Sequence, residues 1–190
     1  ITILAVGRLT NVALALNAQQ DFQNLVKEVV IMGGAINTPG NVTPWAEANI
    51  IGDPEAAAIV FGSQLELTMV GLDVTNTTRM SMTYIDSLFS DLPHLADFVL
   101  AMNRYYAEFY RAAEGTEDFP VHDSSAVAFL DDASAFDISV GRLDCIVTGK
   151  ERGRTVFQQD DSGQHRVCLG VDSKALLQRY ADRVGSAYRA

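Results

Sequence analysis

Val29-Val30-Ile31-Met32-Gly33-Gly34 is an unbroken apolar run that stops on paired glycines. A run of that length reads as a buried strand, and the glycines let other backbone approach its carboxyl end closely. The pattern repeats on either side. Ile1 to Val6 is a strand candidate that runs into the turn Gly7-Arg8-Leu9-Thr10-Asn11, and Leu67 to Leu72 is another, closing on Asp73-Val74-Thr75. Helical patterns lie between them. One covers Val12 to Ala18, with Thr10 or Asn11 as its cap. The other starts at Asp53-Pro54-Glu55 and runs to about Phe61, with Asp as cap, Pro in the first turn and an acid near the positive end of the dipole. Strands and helices interleaved in this way predict an α/β fold.

The rest of the chain continues the pattern. Pro93 to about Ala113 carries Phe98, Met102, Tyr106, Phe109 and Tyr110 at helical spacings, followed by a loop from Gly115 to Pro120. Asp123 begins a helix through Ala126, Val127 and Phe129. Strands are expected near Ile138 to Val147, Thr155 to Gln159 and Val167 to Val171, and a last helix from Ser173 to about Val184. With no internal repeat and no Pro/Ser linker, residues 1–190 are expected to form a single domain.

Composition narrows the function. With 48% hydrophobic and 20% charged residues the chain reads as globular rather than disordered. A net charge of −10 argues against nucleic acid or an anionic membrane as partner. Cys145 and Cys168, the only cysteines, form no disulfide or metal framework, which points to a reducing compartment. No stretch is long and apolar enough to span a bilayer and no leader pattern is visible, so a cytoplasmic protein is expected. The chain opens on Ile1 inside a strand pattern, from which a further amino-terminal segment is expected.

Three segments gather chemistry. In the loop from Ala35 to Trp45 and just beyond it, Asn41, Glu47 and Asn49 follow the strand that ends at Met32. Ligands of open α/β sheets sit beyond the carboxyl ends of strands, and Asn and Glu there suit a polyhydroxylated ligand. Two residues apart, Glu47 and Asn49 would face one side of an extended stretch. The alternative is a polar surface loop in which Asn and Gly serve turns. His122-Asp123 has two readings as well. His122 can transfer protons near neutral pH while Asp123 offers oxygen to a hard cation, or Asp123 only caps the next helix beside a satisfied histidine.

Taken together, these runs resemble the inosine–uridine-preferring nucleoside hydrolases, which depend on calcium. The resemblance is carried by Gly-Arg-Leu-Thr-Asn-Val-Ala, Val-Val-Ile-Met-Gly-Gly-Ala, Gly-Asn-Val-Thr-Pro, Glu-Ala-Asn-Ile-Ile-Gly-Asp-Pro-Glu-Ala-Ala, Met-Val-Gly-Leu-Asp-Val-Thr and Val-His-Asp, in that order. It extends through Gly153-Arg154-Thr155-Val156 to the last helix. The resemblance implies an open, mostly parallel sheet flanked by helices and missing its amino-terminal portion. It also implies hydrolysis of ribonucleosides to ribose and free base by an assembly of two or four copies. The backbone carbonyl of Val6 and the carboxylate of Asp123 match two calcium ligands. Met32, Asn41, Glu47 and Asn49 match the ribose-binding residues, and His122 matches the group that protonates the departing base. Tyr106 and Tyr110 fall on the helix that covers the base, where core packing is the other reading.

The family's remaining calcium ligands and its general base come from an Asp-Thr-Asp-Pro-Gly-x-Asp-Asp motif that these 190 residues do not contain. Asp131-Asp132 and Asp160-Asp161 read as solvated turns instead. The chain alone is therefore expected to be inactive, and the intact protein to be a hydrolase. A nucleoside- or ribose-binding protein that has lost catalysis is the other class. Arg8, Ala48 and Ser124 depart from the usual pattern without removing a named chemical group.

Overall fold

The structure, a computed structural model, describes residues 1–19 and 21–189. Its first part alternates β1 (Thr2–Ala5), α1 (Thr10–Ala18), the short α2 (Phe22–Leu25), β2 (Glu28–Met32), α3 (Ala48–Ile51), α4 (Pro54–Phe61) and β3 (Leu67–Val70). The middle holds α5 (Leu72–Thr75), β4 (Arg79–Ser81), α6 (Met82–Leu88), α7 (Pro93–Glu114), β5 (Asp118–Pro120) and α8 (Asp123–Asp131). A 3-10 turn at Ala133–Ala135 leads into β6 (Phe136–Cys145), β7 (Thr155–Gln159), β8 (His165–Val171) and α9 (Ser173–Arg189).

The main sheet has six strands in the order β1-β2-β3-β8-β6-β7. Pairs β1–β2, β2–β3 and β3–β8 are parallel, while β6 runs antiparallel to both β8 and β7. Helices cover both faces, which is why Val29 to Met32 of β2 and all of β3 are buried rather than alternating with exposed positions. Val30, Met32, Val70 and Cys168 face a layer built from α5 to α9. Val29, Ile31, Met69 and Val167 face α1 and α4, with Leu143 and Cys145 closing that side. The expected α/β sheet is what the chain forms.

Several local expectations change. Thr10 does not cap α1: it lies inside the helix, and its hydroxyl donates to Asp53 Oδ2 at 2.5 Å. Leu9 holds the cap position with no side-chain hydrogen bond, because burial of Leu9 anchors that end instead. The third strand stops at Val70, and Leu-Asp-Val-Thr coils into α5 rather than extending it. Asp123 is the first residue of α8 rather than its cap, and no side-chain cap bond forms there. Asp131 and Asp132 are not free turns. Both pair with Arg179, and Asp131 also pairs with Arg183, tying α8 to α9.

Asp53 does cap α4 as expected, accepting from the Ala56 N–H at 3.1 Å while its other oxygen takes the Thr10 hydroxyl. One side chain thus joins α1 to α4. Asp53→Ala is expected to destabilise the protein by about 2 kcal/mol, the upper end for a lost cap. Chemical denaturation checks it, and a loss below about 0.5 kcal/mol would show that the cap is dispensable.

Candidate active site

The carboxyl ends of the parallel strands define a row. In the β1–β2–β3 register Ala5 pairs with Ile31 and Met32 pairs with Val70, so Val6 falls beside Met32 one step further on. The Gly33-Gly34 pair then turns the chain off the sheet. Gly34 has φ +82°, and a Cβ there would lie 2.8 Å from the Met69 sulfur. The following loop is clamped at its start. Thr155 Oγ1 accepts from the Ala35 N–H at 2.9 Å and donates to the Ala35 carbonyl at 2.7 Å. The Asp73 carboxylate accepts from the N–H groups of Ile36 at 2.8 Å and Asn37 at 2.7 Å.

Glu47 closes the loop from the other end. It is 2% exposed, and its Oε2 accepts from the N–H groups of Gly34 at 2.9 Å and Ile50 at 3.2 Å. Its Oε1 accepts from the Asn49 N–H at 2.9 Å. Glu47 therefore caps α3, so the extended stretch expected between Glu47 and Asn49 is instead a helix start. Asn49 turns back, its Nδ2 donating to the Met32 carbonyl at 3.0 Å. Asn41 Oδ1 accepts from the Ala48 N–H at 3.0 Å. Met32, Asn41, Glu47 and Asn49 thus belong to one hydrogen-bonded unit. Burial raises the Glu47 pKa, the three N–H donors oppose that, and the charge of Asp123 adds to the rise.

His122 sits where β5 gives way to α8, on the helical layer that packs against β2 and β3. Its Nδ1 lies 2.8 Å from the Thr75 hydroxyl and its Nε2 lies 3.1 Å from the Tyr110 hydroxyl. Tyr106 donates to Tyr110 at 3.4 Å. The two tyrosines also meet edge to face, so packing and polar contact occur together. Burial, helped by the Arg79 charge, holds His122 down to about 4. At neutral pH the ring is therefore uncharged and can donate from one nitrogen only, with Thr75 and Tyr110 deciding which. Arg79 backs this row. Its guanidinium lies 5.9 Å from the Tyr110 ring centre and pairs with Asp118 and Glu114.

A cavity of about 320 Å³ opens beside His122, lined by Met80, Met102, Asn103, Tyr106, Phe119 and Asp123 among others. Aromatic and thioether walls, with Asn103, His122 and Asp123 as polar groups among them, suit a flat heterocycle with polar edges. Asp123 is exposed on this wall. Partial desolvation raises its pKa, and among the described residues no hydrogen-bond donor reaches its carboxylate. Nor does a backbone N–H among them reach the Val6 carbonyl. Both are hard oxygen donors, the type a calcium ion takes. They match the ion in kind and fall short in number. Among the described residues no three His, Cys, Asp or Glu side chains group to hold a metal.

The sequence reading did not assign Thr75, Asp73, Thr155 or Arg79 to the site. Asp73 and Thr75 lay in the quoted Leu-Asp-Val-Thr run, and Thr155 in Gly-Arg-Thr-Val, so the signal was present for three of them. Nothing in the sequence marked Arg79.

Comparison with known proteins agrees over nearly the whole chain. Residues 1–178 match the family described as inosine-uridine preferring nucleoside hydrolase. A probable uridine nucleosidase 2 of Arabidopsis thaliana is 32% identical, covering 97% of this chain and 61% of the relative. The inosine-uridine preferring nucleoside hydrolase of Crithidia fasciculata is 38% identical over 79% of this chain and 47% of its own length. In structure, a purine-preferring ribonucleoside hydrolase from Gardnerella vaginalis superposes with a TM-score of 0.89 at 31% identity, covering 97% of this chain and 60% of that one. The chain thus spans about half to three-fifths of the length of these three proteins.

Proposed function

The chain belongs to the inosine-uridine preferring nucleoside hydrolase family, and from that premise we propose that the protein carrying it hydrolyses the N-glycosidic bond of ribonucleosides, releasing ribose and a free base. The observation that carries the reading is the buried Glu47 carboxylate, which locks Asn49 and the Met32 carbonyl at the sheet's carboxyl edge. The His122 cavity lies on the layer above. We take residues 1–190 as one domain, since a single six-stranded sheet runs from β1 to β8. Two buried free cysteines favour a cytoplasmic setting. No helix among the described residues is long and apolar enough to cross a membrane.

Each group has a task. Asn41, Glu47, Asn49 and Met32 receive the ribose, with Glu47 holding the loop while Asn41 and Asn49 offer amide groups to its hydroxyls. Cleavage builds positive charge on the ribose, as in other glycoside hydrolysis, so a buried carboxylate at the ring's edge favours the transition state. His122 donates a hydrogen bond to the departing base, with Tyr110 or Thr75 holding its other nitrogen. Tyr106 and Tyr110 wall the base. When bound, calcium would orient ribose hydroxyls and activate water, held here by Asp123 and the Val6 carbonyl. Two ligands of the six to eight that calcium takes leave the rest to a further segment. The homo-oligomer of the family is part of this reading.

Two experiments bear on it. Calorimetric titration of the 190-residue chain with calcium should give weak binding or none, and submicromolar binding would show that this chain holds a complete site. In the intact protein, His122→Ala should slow base release from inosine or uridine by about 100-fold, the size of general-acid assistance. An unchanged rate removes the role given to His122. Binding of inosine without any base release would move the protein to the binding class.

A further inference from the structure

Tyr110 and His122 come from different elements, α7 and the entry to α8, yet the Tyr110 hydroxyl and His122 Nε2 lie 3.1 Å apart. Twelve positions separate them, and the chain turns back after Gly115, whose φ of +72° ends α7. A loop of that kind opens easily, so the contact needs a clip to hold its two sides together.

His122 is held from the side of β4. Arg79 pairs with Pro120 in the antiparallel β4–β5 ladder. The Val121 N–H carries that ladder one step further by donating to the Thr78 carbonyl at 2.8 Å. The Ser125 hydroxyl donates to the Val121 carbonyl at 2.5 Å, so the residue before His122 is bonded at both backbone groups.

The end of α7 is held by the side chain of the same Arg79. Its Nε donates to Asp118 Oδ1 at 2.9 Å. Its Nη2 donates to Glu114 Oε2 and to the Asp118 carbonyl, each at 2.9 Å, with the Thr116 hydroxyl at 3.2 Å. Glu114 stands one helical turn beyond Tyr110 on the same face of α7. The guanidinium itself lies 5.9 Å from the Tyr110 ring centre. One side chain, 22% exposed, thus bonds the end of α7, the loop and β5 at once. A planar fork can do this where the point charge of a lysine cannot.

We propose that Arg79 is a positioning residue for base release: its strand places the backbone at His122, its guanidinium places the end of α7, and together they hold Tyr110 against His122. The proposal rests on the hydrolase reading above, in which His122 assists the departing base. Arg79 does not line the His122 cavity, so its effect passes through these two side chains.

Arg79→Met, which keeps the stem and removes the fork, tests it in two ways. In the 190-residue chain, nuclear Overhauser contacts between the Tyr110 and His122 rings should disappear. Those between Phe129 and Phe136, whose ring centres lie 5.4 Å apart at the other end of α8, should stay. Retention of the first contact overturns the proposal, and loss of both makes Arg79 a support of the whole fold and overturns it too. In the intact protein the variant should slow base release from inosine about tenfold, a part of the about 100-fold given to His122. Cleavage of para-nitrophenyl riboside, whose leaving group needs no proton, should change less than about twofold. In a His122→Ala background Arg79→Met should slow inosine no further. Equal losses on the two substrates, or a loss that adds in full to that of His122→Ala, overturn the positioning role. If the intact protein cleaves neither substrate, the hydrolase reading falls and takes the catalytic part of the proposal with it. The ring contacts then decide whether Arg79 holds Tyr110 against His122.

Discussion

Glu47→Ala is expected to remove about 3 kcal/mol or more of folding stability, together with all measurable affinity of the intact protein for ribonucleosides. The carboxylate accepts from the N–H groups of Gly34, Asn49 and Ile50. Removing it leaves buried donors without partners, each worth about 1–3 kcal/mol. Alanine also leaves a void beside Gly33, which has no side chain to fill it: a Cβ there would lie 3.1 Å from Glu47 Oε2. Glu47→Gln is the informative companion. Its amide sets an N–H₂ against at least one donor, so it should cost about 2 kcal/mol even with the volume kept.

The pH dependence of that companion has a definite sign. Unfolded, Glu47 ionises near its ordinary value of 4.5, whereas burial raises the value in the fold. The folded state therefore holds the proton more tightly. The stability this gives is complete below pH 4.5 and is lost as pH rises through the raised folded value. Relative to Glu47→Gln, the wild type should be most favoured in acid and lose part of that margin across this window. Urea unfolding of both proteins along a pH series measures it. A margin that grows with pH would mean that the three N–H donors outweigh desolvation.

Gly34→Ala should cost about 3 kcal/mol, far more than the same change at Gly115. Both glycines have left-handed backbone, with φ +82° and φ +72°. The conformational penalty is therefore about 1–2 kcal/mol at either position. Surroundings separate them. A Cβ at Gly34 would meet the Met69 sulfur at 2.8 Å and Thr155 Cγ2 at 3.0 Å, while a Cβ at Gly115 meets nothing within 4 Å. Overpacking accounts for the remaining difference of about 1–2 kcal/mol. It should also shift the Ala35–Thr155 clamp and with it Asn41 and Glu47. Equal losses at the two positions, measured by denaturant unfolding, would show that the Gly34 surroundings yield freely.

Long apolar runs were the most legible part of the chain. β2, β3 and α7 lie within a residue or two of their expected places, because burial on both faces or a regular helical stripe leaves few alternatives. Short elements were not legible. The β4–β5 pair has three residues in each strand, too few for a period, and the Arg79–Asp118 ion pair that joins them spans 39 positions. Helix α6 hid in the same way behind Ser81, whose hydroxyl caps it.

In the site, residue types pointed to the right neighbourhoods but not to the geometry. The two-residue spacing of Glu47 and Asn49 implies one shared side of an extended stretch, yet the fold makes Glu47 a buried cap and turns Asn49 toward Met32. Glu is a poor cap on average, so only the glycines opposite it could have hinted at this. The clamp by Thr155 spans 120 positions and leaves no local trace.

The two helical layers each contain one thiol. Cys168 lies among the α5–α9 side chains and Cys145 among those of α1 and α4. Burial pushes their pKa values up to about 12 and about 11, so neither is reactive while its layer stays closed. Each cysteine is thus a built-in clock for one side of the sheet. The rate at which an alkylating reagent captures Cys145, set against the rate at Cys168, reads whether the layers come off the sheet together or in turn.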